Sequence, residues 1–175
     1  MYILKQLRSY QVVFLGIAIL FLSGCTLFPQ IHEDLFYNDT GEFDSFRFPL
    51  IKPYYMVYLD KEFSWQMPFL SDSPSKNMYY YYNLHGIRKL AVKNGVIMVY
   101  TPYIEDNIDT SIGQKIFHWF VIVPSQNIEN GFESEEEFLK YIHTLGIDKP
   151  LWIEPDTAYN QFSKTGCLDW IPGCK

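Results

Sequence analysis

The chain has 175 residues, with 14 lysine plus arginine against 20 aspartate plus glutamate and a net charge of −6. That balance argues against nucleic-acid binding, which needs basic patches, and against electrostatic docking on anionic lipid. Aromatic residues make up 18%, with 14 Tyr and 14 Phe, which excludes a disordered chain and requires a packed core.

Lys5 and Arg8 give the N-terminus a positive charge, Val12–Leu22 is an unbroken apolar run, and no acid precedes Cys25. Ser23 and Gly24 place small residues just before the cysteine. This is a secretory pattern. One alternative is a membrane-spanning helix, but the run rises only about 16 Å at ~1.5 Å per residue, against a bilayer core of roughly 30 Å. Another is a secreted protein with an incidental cysteine. Leu22-Ser23-Gly24-Cys25 resembles the lipobox of bacterial lipoproteins, where a lipoprotein signal peptidase cuts before the cysteine. The resemblance covers residues 1–25 and implies thioether-linked diacylglycerol on Cys25, often with an N-acyl chain. Two or more acyl chains anchor stably, whereas one binds only marginally. The resemblance also implies a cell-envelope location, and Thr26, where an aspartate would favour inner-membrane retention, leans towards the outer membrane. The expected organisation is a signal peptide over 1–24, a lipidated N-terminus and tether over 25–50, and one globular domain over 51–175. Loss of the signal peptide removes two cations and no acid, which takes the charge from −6 to −8.

Along the tether, Asn38-Asp39-Thr40-Gly41 signals a turn, and Phe43, Phe46 and Phe48 suit either a first edge strand or an arm over the body. Tyr54–Leu59 reads as a strand, and Phe63–Met67 as a short partner stopped by Pro68. Residues 71–77 form a polar loop before Tyr79–Tyr82, which are β-prone in type. Asn94-Gly95, between Ile87–Lys93 and Val96–Thr101, predicts a type I′ hairpin. Its register pairs Lys93 with Val96, Val92 with Ile97 and Leu90 with Val99. Leu90, Val92, Ile97 and Val99 then make a wholly apolar face. Lys89, Ala91, Lys93, Val96, Met98 and Tyr100 make a mixed face, expected to be half wet. Ile116–Val123 is apolar on both faces apart from His118, as in a central strand, and Pro124 stops it.

Ser134-Glu135-Glu136-Glu137 has the capping-box form, with Phe138, Leu139, Ile142 and Leu145 following at helical spacing and Gly146 placed to close the helix. Pro150–Ile153 reads as extended. Asp156 is expected to cap a short second helix that holds Tyr159 and Phe162 and stops at Gly166. Strands before helices predict an α+β fold: a mainly antiparallel sheet of about four to six strands, then one or two C-terminal helices and a disulfide-closed C-terminal loop. Cys167 and Cys174 are the pair left once Cys25 is acylated, and Pro172-Gly173 turns the chain between them. Closing a loop of that size is worth about 2.5 kcal/mol in the chain-entropy model. A redox pair needs the closer Cys-x-x-Cys spacing, and no histidine lies nearby in sequence to complete a metal site.

The chain has no Gly-x-Ser-x-Gly, no His-Glu-x-x-His, no phosphate-binding glycine loop and no EF-hand loop, so no catalytic residue, cofactor or metal is assigned. His118, between Phe117 and Trp119, is either a base on a rigid strand or a sheet histidine with one hydrogen-bond partner. His85, beside Gly86, is either a reactive loop residue or part of a turn. His32 falls in the tether and His143 on the polar side of the helix. Glu105, Asp106 and Asp109 offer oxygens to calcium but lack the regular spacing of a calcium loop. Glu133–Glu137 are accounted for by a helix start. Trp152, Pro155, Trp170 and Pro172 form either an aromatic ligand platform or a core around the disulfide. The expected function is that of a non-catalytic binding or structural module with an envelope protein partner, held to the membrane by acyl chains on Cys25. The alternatives are an immunity or inhibitor lipoprotein that uses acidic charge against a basic toxin, and a small-ligand-binding domain or hydrolase using His118 or His85.

Overall fold

Asn94 and Gly95 both adopt positive φ, 53° and 77°, the two left-handed positions that a type I′ turn requires. The turn sets the register of β5 (Lys89–Lys93) against β6 (Val96–Tyr100), with Lys93 opposite Val96, Val92 opposite Ile97 and Leu90 opposite Val99. The central strand expected after it is β7 (Trp119–Val123), which pairs antiparallel with β6 on one side and with β8 (Ile128–Phe132) on the other. A 3-10 turn over Pro124–Gln126, closed by Asn127 at φ 53°, connects β7 to β8. Strand β8 has no counterpart in the sequence reading. Glu129, Asn130 and Gly131 are poor strand formers, and the strand exists through its pairing with β7.

The computed structural model describes residues 34–38, 45–59, 64–69, 83–103, 110 and 115–174. The lipobox with Cys25, His32, the turn at Asp39–Gly41, Phe43, the loop over 71–77, Tyr79–Tyr82 and the acidic group Glu105, Asp106 and Asp109 lie outside the described residues.

Strands β5 to β8 make the second sheet of the chain; the first, also antiparallel, has strand order β1 (Ser45–Pro49), β2 (Tyr55–Leu59), β3 (Ser64–Pro68), β4 (Asn83–Leu84). The phenylalanine stretch is therefore an edge strand, and residues 45–49, within the stretch read as tether, belong to a compact unit spanning Asp34–Lys175. Its first element is a single helical turn, α1 (Leu35–Asn38). Asp34 accepts from the Phe36 N–H and from Lys52 Nζ at 2.8 Å, and the Lys52 bond, with the Phe36 bond second, holds its carboxyl below the usual range.

The fold is α+β with antiparallel sheets, and each sheet holds four strands. The two sheets share one apolar cluster. Phe48, Met56, Trp65 and Met67 come from the first, and Leu90, Ile97, Val99, Phe120 and Ile122 from the second. The opposite face of the second sheet, expected half wet, is covered. The helix α2 (Glu135–Thr144) lays Phe138 and Ile142 over Ala91, Val96, Met98, Val121 and Val123, while Lys89 and Lys93 reach solvent. Ser134 caps α2 by accepting the Glu137 N–H at 3.3 Å, three glutamates occupy its first turn, and Gly146 follows it at φ 74°.

The extended stretch before the last helix is tied to the sheet by Ile153, which exchanges both backbone hydrogen bonds with Leu90. Helix α3 (Pro155–Thr165) buries Ala158 and Phe162 and ends at Gly166 in the left-handed conformation. Its cap corrects the sequence reading. Glu154, not Asp156, occupies the N-cap position, and Pro155 starts the helix without needing an N–H partner. The Cys167–Cys174 disulfide closes the C-terminal loop with a Cα separation of 5.4 Å. Trp170 in that loop donates its indole N–H to Pro49 O at 3.1 Å, which fastens the end of the chain to β1.

Phe138 carries the contact between α2 and the second sheet, ringed by Trp119, Phe132 and Trp152 at 5.2 to 6.3 Å. Phe138→Ala is expected to cost about 3–5 kcal/mol. Leu139→Ala, at a side chain 38% exposed, should stay within about 0.5 kcal/mol. Denaturant unfolding of the two variants checks the difference, and equal effects would mean that α2 is not held by its buried face.

Candidate functional site

On β1, β2 and β3 the residues Phe46, Tyr58 and Trp65 share one face, because Phe46 pairs with Tyr58 and Tyr58 with Trp65. Tyr159 of α3 comes down beside them. The four rings form a closed circuit, with centroids 6.0 Å apart for Phe46–Tyr58, 5.4 Å for Tyr58–Trp65, 5.6 Å for Trp65–Tyr159 and 5.2 Å for Tyr159–Phe46. Trp65 is the buried floor; Phe46, 47% exposed, forms one wall. The cavity above them has a volume of about 680 Å³.

Its rim is polar and of mixed charge. Arg88 and Lys89 line it, as do Glu154 and Asp156 at the start of α3 and Asn160 midway along that helix. Trp65 Nε1 donates to Asp156 Oδ1 at 2.7 Å. That bond satisfies an indole N–H that burial would otherwise strand, and it fixes the Asp156 carboxylate at the rim. Gly86 shapes the wall below Arg88. Its φ is +62°, and a Cβ there would meet Tyr103 Cβ at 3.0 Å, so a side chain would be strained in conformation and crowded in space.

The residues singled out in the sequence lie elsewhere. His118 directs Nδ1 to Thr101 O at 3.0 Å, while its backbone pairs with Phe132 and Thr101. His85 reaches Thr101 through its carbonyl, which accepts the Thr101 hydroxyl at 2.6 Å, and its ring lies 5.8 Å from that of Tyr103. Both histidines thus meet Thr101, His118 through its imidazole and His85 through its carbonyl. His143 is exposed, 3.6 Å from Asp148. Glu133 pairs with Lys115, whose pKa that bond raises. Among the described residues no group of three or more His, Cys, Asp or Glu is placed to hold a metal ion. Trp152 stacks on Phe138, and Trp170 packs against the inter-sheet cluster while it lines, with Pro172, a second and smaller cavity. Of that group only Pro155 touches the groove.

One buried polar pair links the two sheets. Glu129 sits opposite Ile122 on β8, so it faces the inter-sheet cluster, and its Oε1 accepts the Tyr54 hydroxyl at 2.7 Å. Tyr54 is 1% exposed and Glu129 2%. Burial first, then the bond to Glu129 and its charge, push the Tyr54 hydroxyl well above its ordinary value of 10.0.

Comparison with protein-family models, curated proteins and solved structures finds no match to this chain.

The raised Tyr54 value has a definite sign. Above pH 10 the unfolded chain releases the phenolic proton while the folded chain retains it. The contribution is therefore complete below pH 10 and is lost as pH rises beyond it, at about 1.4 kcal/mol per pH unit. Tyr54→Phe should remove one such proton from the alkaline stability slope measured by denaturation between pH 9.5 and pH 11. An unchanged slope would show that Tyr54 ionises normally in the folded chain.

Proposed function

We propose that the chain is a lipid-anchored cell-envelope protein and that it works as a non-catalytic binding module with the aromatic groove as its binding face. The observation that carries the binding reading is the circuit Phe46–Tyr58–Trp65–Tyr159 under a rim of both charges. A cavity of a few hundred Å³ with aromatic walls and a few convergent polar groups is the usual form of a ligand site. The walls come from three paired strands and a helix, so hydrogen-bonded backbone carries each of the four rings. The imidazoles of His118 and His85 are not lining residues of this groove. Their placement around Thr101 is accounted for by strand ends and a turn.

The anchor rests on the lipobox resemblance at Leu22–Cys25, and Thr26 favours the outer membrane. No helix among the described residues is long and apolar enough to cross a membrane, and under this proposal the acyl chains supply the attachment. Mass spectrometry of the Cys25 peptide from native protein is expected to show a diacylglycerol adduct at a new N-terminus. Cys25→Ala should abolish both the adduct and the cut, leaving the leader 1–24 attached and a chain of higher mass on a gel. An unmodified Cys25 within an uncut leader would overturn the anchor. For the binding face, a photo-cross-linking residue at Asn160 should give one dominant adduct in cells, and the same residue at Lys140 on the far side of α2 should not. Equal yields from both positions would count against the groove.

A further inference from the structure

With the groove as the binding face, we infer that its ligand is a neutral oligosaccharide. The four rings line the cavity, and Phe46 is left 47% open on one wall, where a large apolar ring is ordinarily covered. The C–H faces of a pyranose pack on such rings, while its hydroxyls point outward to a polar rim. That rim sorts the candidate ligands. Arg88 offers donors only, the carboxylates of Glu154 and Asp156 are acceptors, and Asn160 supplies both functions. A simple cation would be repelled by Arg88 and Lys89, and a simple anion by Glu154 and Asp156. Hydroxyl groups both donate and accept, so a neutral polyol satisfies every rim group without leaving one charge facing its like. Asp156 is held in place by the Trp65 indole at 2.7 Å, as orientation of hydroxyl partners requires. The volume of about 680 Å³ falls within the range of small-ligand sites, roughly 300–1,000 Å³.

The test uses the full chain, purified in a detergent without a sugar headgroup. Cellotetraose, maltotetraose and an N-acetylglucosamine tetrasaccharide are titrated separately, read by tryptophan fluorescence and by saturation-transfer NMR. At least one is expected to bind saturably, with Trp65 in the groove floor reporting. Tyr159→Ala should weaken binding tenfold or more. The double variant Arg88→Ala with Asn160→Ala, at exposed positions where the fold is not at stake, should weaken it by a similar factor. No saturable binding of any of the three at millimolar concentration overturns the saccharide, as does binding that both variants leave unchanged. The Asn160 cross-linker separates this failure from that of the wider reading. Capture of a polypeptide at Asn160 with no saccharide binding keeps the groove as a binding face and replaces its ligand class. Absence of both overturns the binding face itself.

Discussion

The pair β6–β7 is apolar on both faces, and the rest of the architecture answers that constraint. Ile97, Val99, Phe120 and Ile122 project one way; Val96, Met98, Val121 and Val123 project the other. Each such side chain is worth about 1.5–3 kcal/mol when taken from water, so neither face can be left to solvent. The first sheet covers one face, and Phe138 and Ile142 of α2 cover the other. A strand pair with one polar face would have needed only one cover, and half of the chain would have had nothing to pack against.

The cover over the first sheet is incomplete, and the gap makes the groove. At the end of the first sheet where Phe46 and Tyr58 lie, Tyr159 of α3 covers the rings in part and leaves Phe46 47% exposed. Trp65 belongs to both regions: its ring is part of the inter-sheet cluster and also the floor of the cavity. Core and cavity therefore meet in one side chain, and the bond from its indole to Asp156 joins the sheet to the start of α3. Glu129 makes a second cross-link through Tyr54. A carboxylate on the inner face of a strand would normally be costly; a phenol from the facing sheet offsets that cost in part and constrains how the two sheets sit against each other.

What was legible in the sequence was local. Asn94-Gly95 revealed its hairpin and register because a type I′ turn depends on two adjacent residues. Ser134, Gly146 and Gly166 marked helix ends for the same reason, and Cys167 with Cys174 lie close enough in sequence to be read as a pair. What was hidden depends on partners far away along the chain. Asp156 looked like a helix cap, yet it accepts from Trp65, 91 positions earlier. Strand β8 carries a buried glutamate whose partner is 75 positions away, so its pattern reads as polar loop. The second face of the hairpin looked wet because Lys89 and Lys93 flank it, although Ala91, Val96 and Met98 are buried under a helix more than thirty residues downstream. The groove was invisible for the same reason. Phe46, Tyr58, Trp65 and Tyr159 share no spacing, and two of them sat in segments read as tether and as helix core. The histidines drew attention because their chemistry is versatile, but versatility is a property of a residue type and a site is a property of an arrangement.

Rigidity is what gives the arrangement its consequence. Three of the four rings stand on hydrogen-bonded strands and the fourth on a helix whose first turn is bonded to the floor of the groove. A ligand entering such a site does not have to order the side chains that receive it, and that ordering ordinarily subtracts about 0.5–1.5 kcal/mol per mobile side chain from the binding energy. The Trp65–Asp156 bond adds a polar tie to the Ile153–Leu90 pairing and to the buried Ala158 and Phe162, and together they hold the start of α3, Tyr159 and the acidic rim beside the floor of the groove.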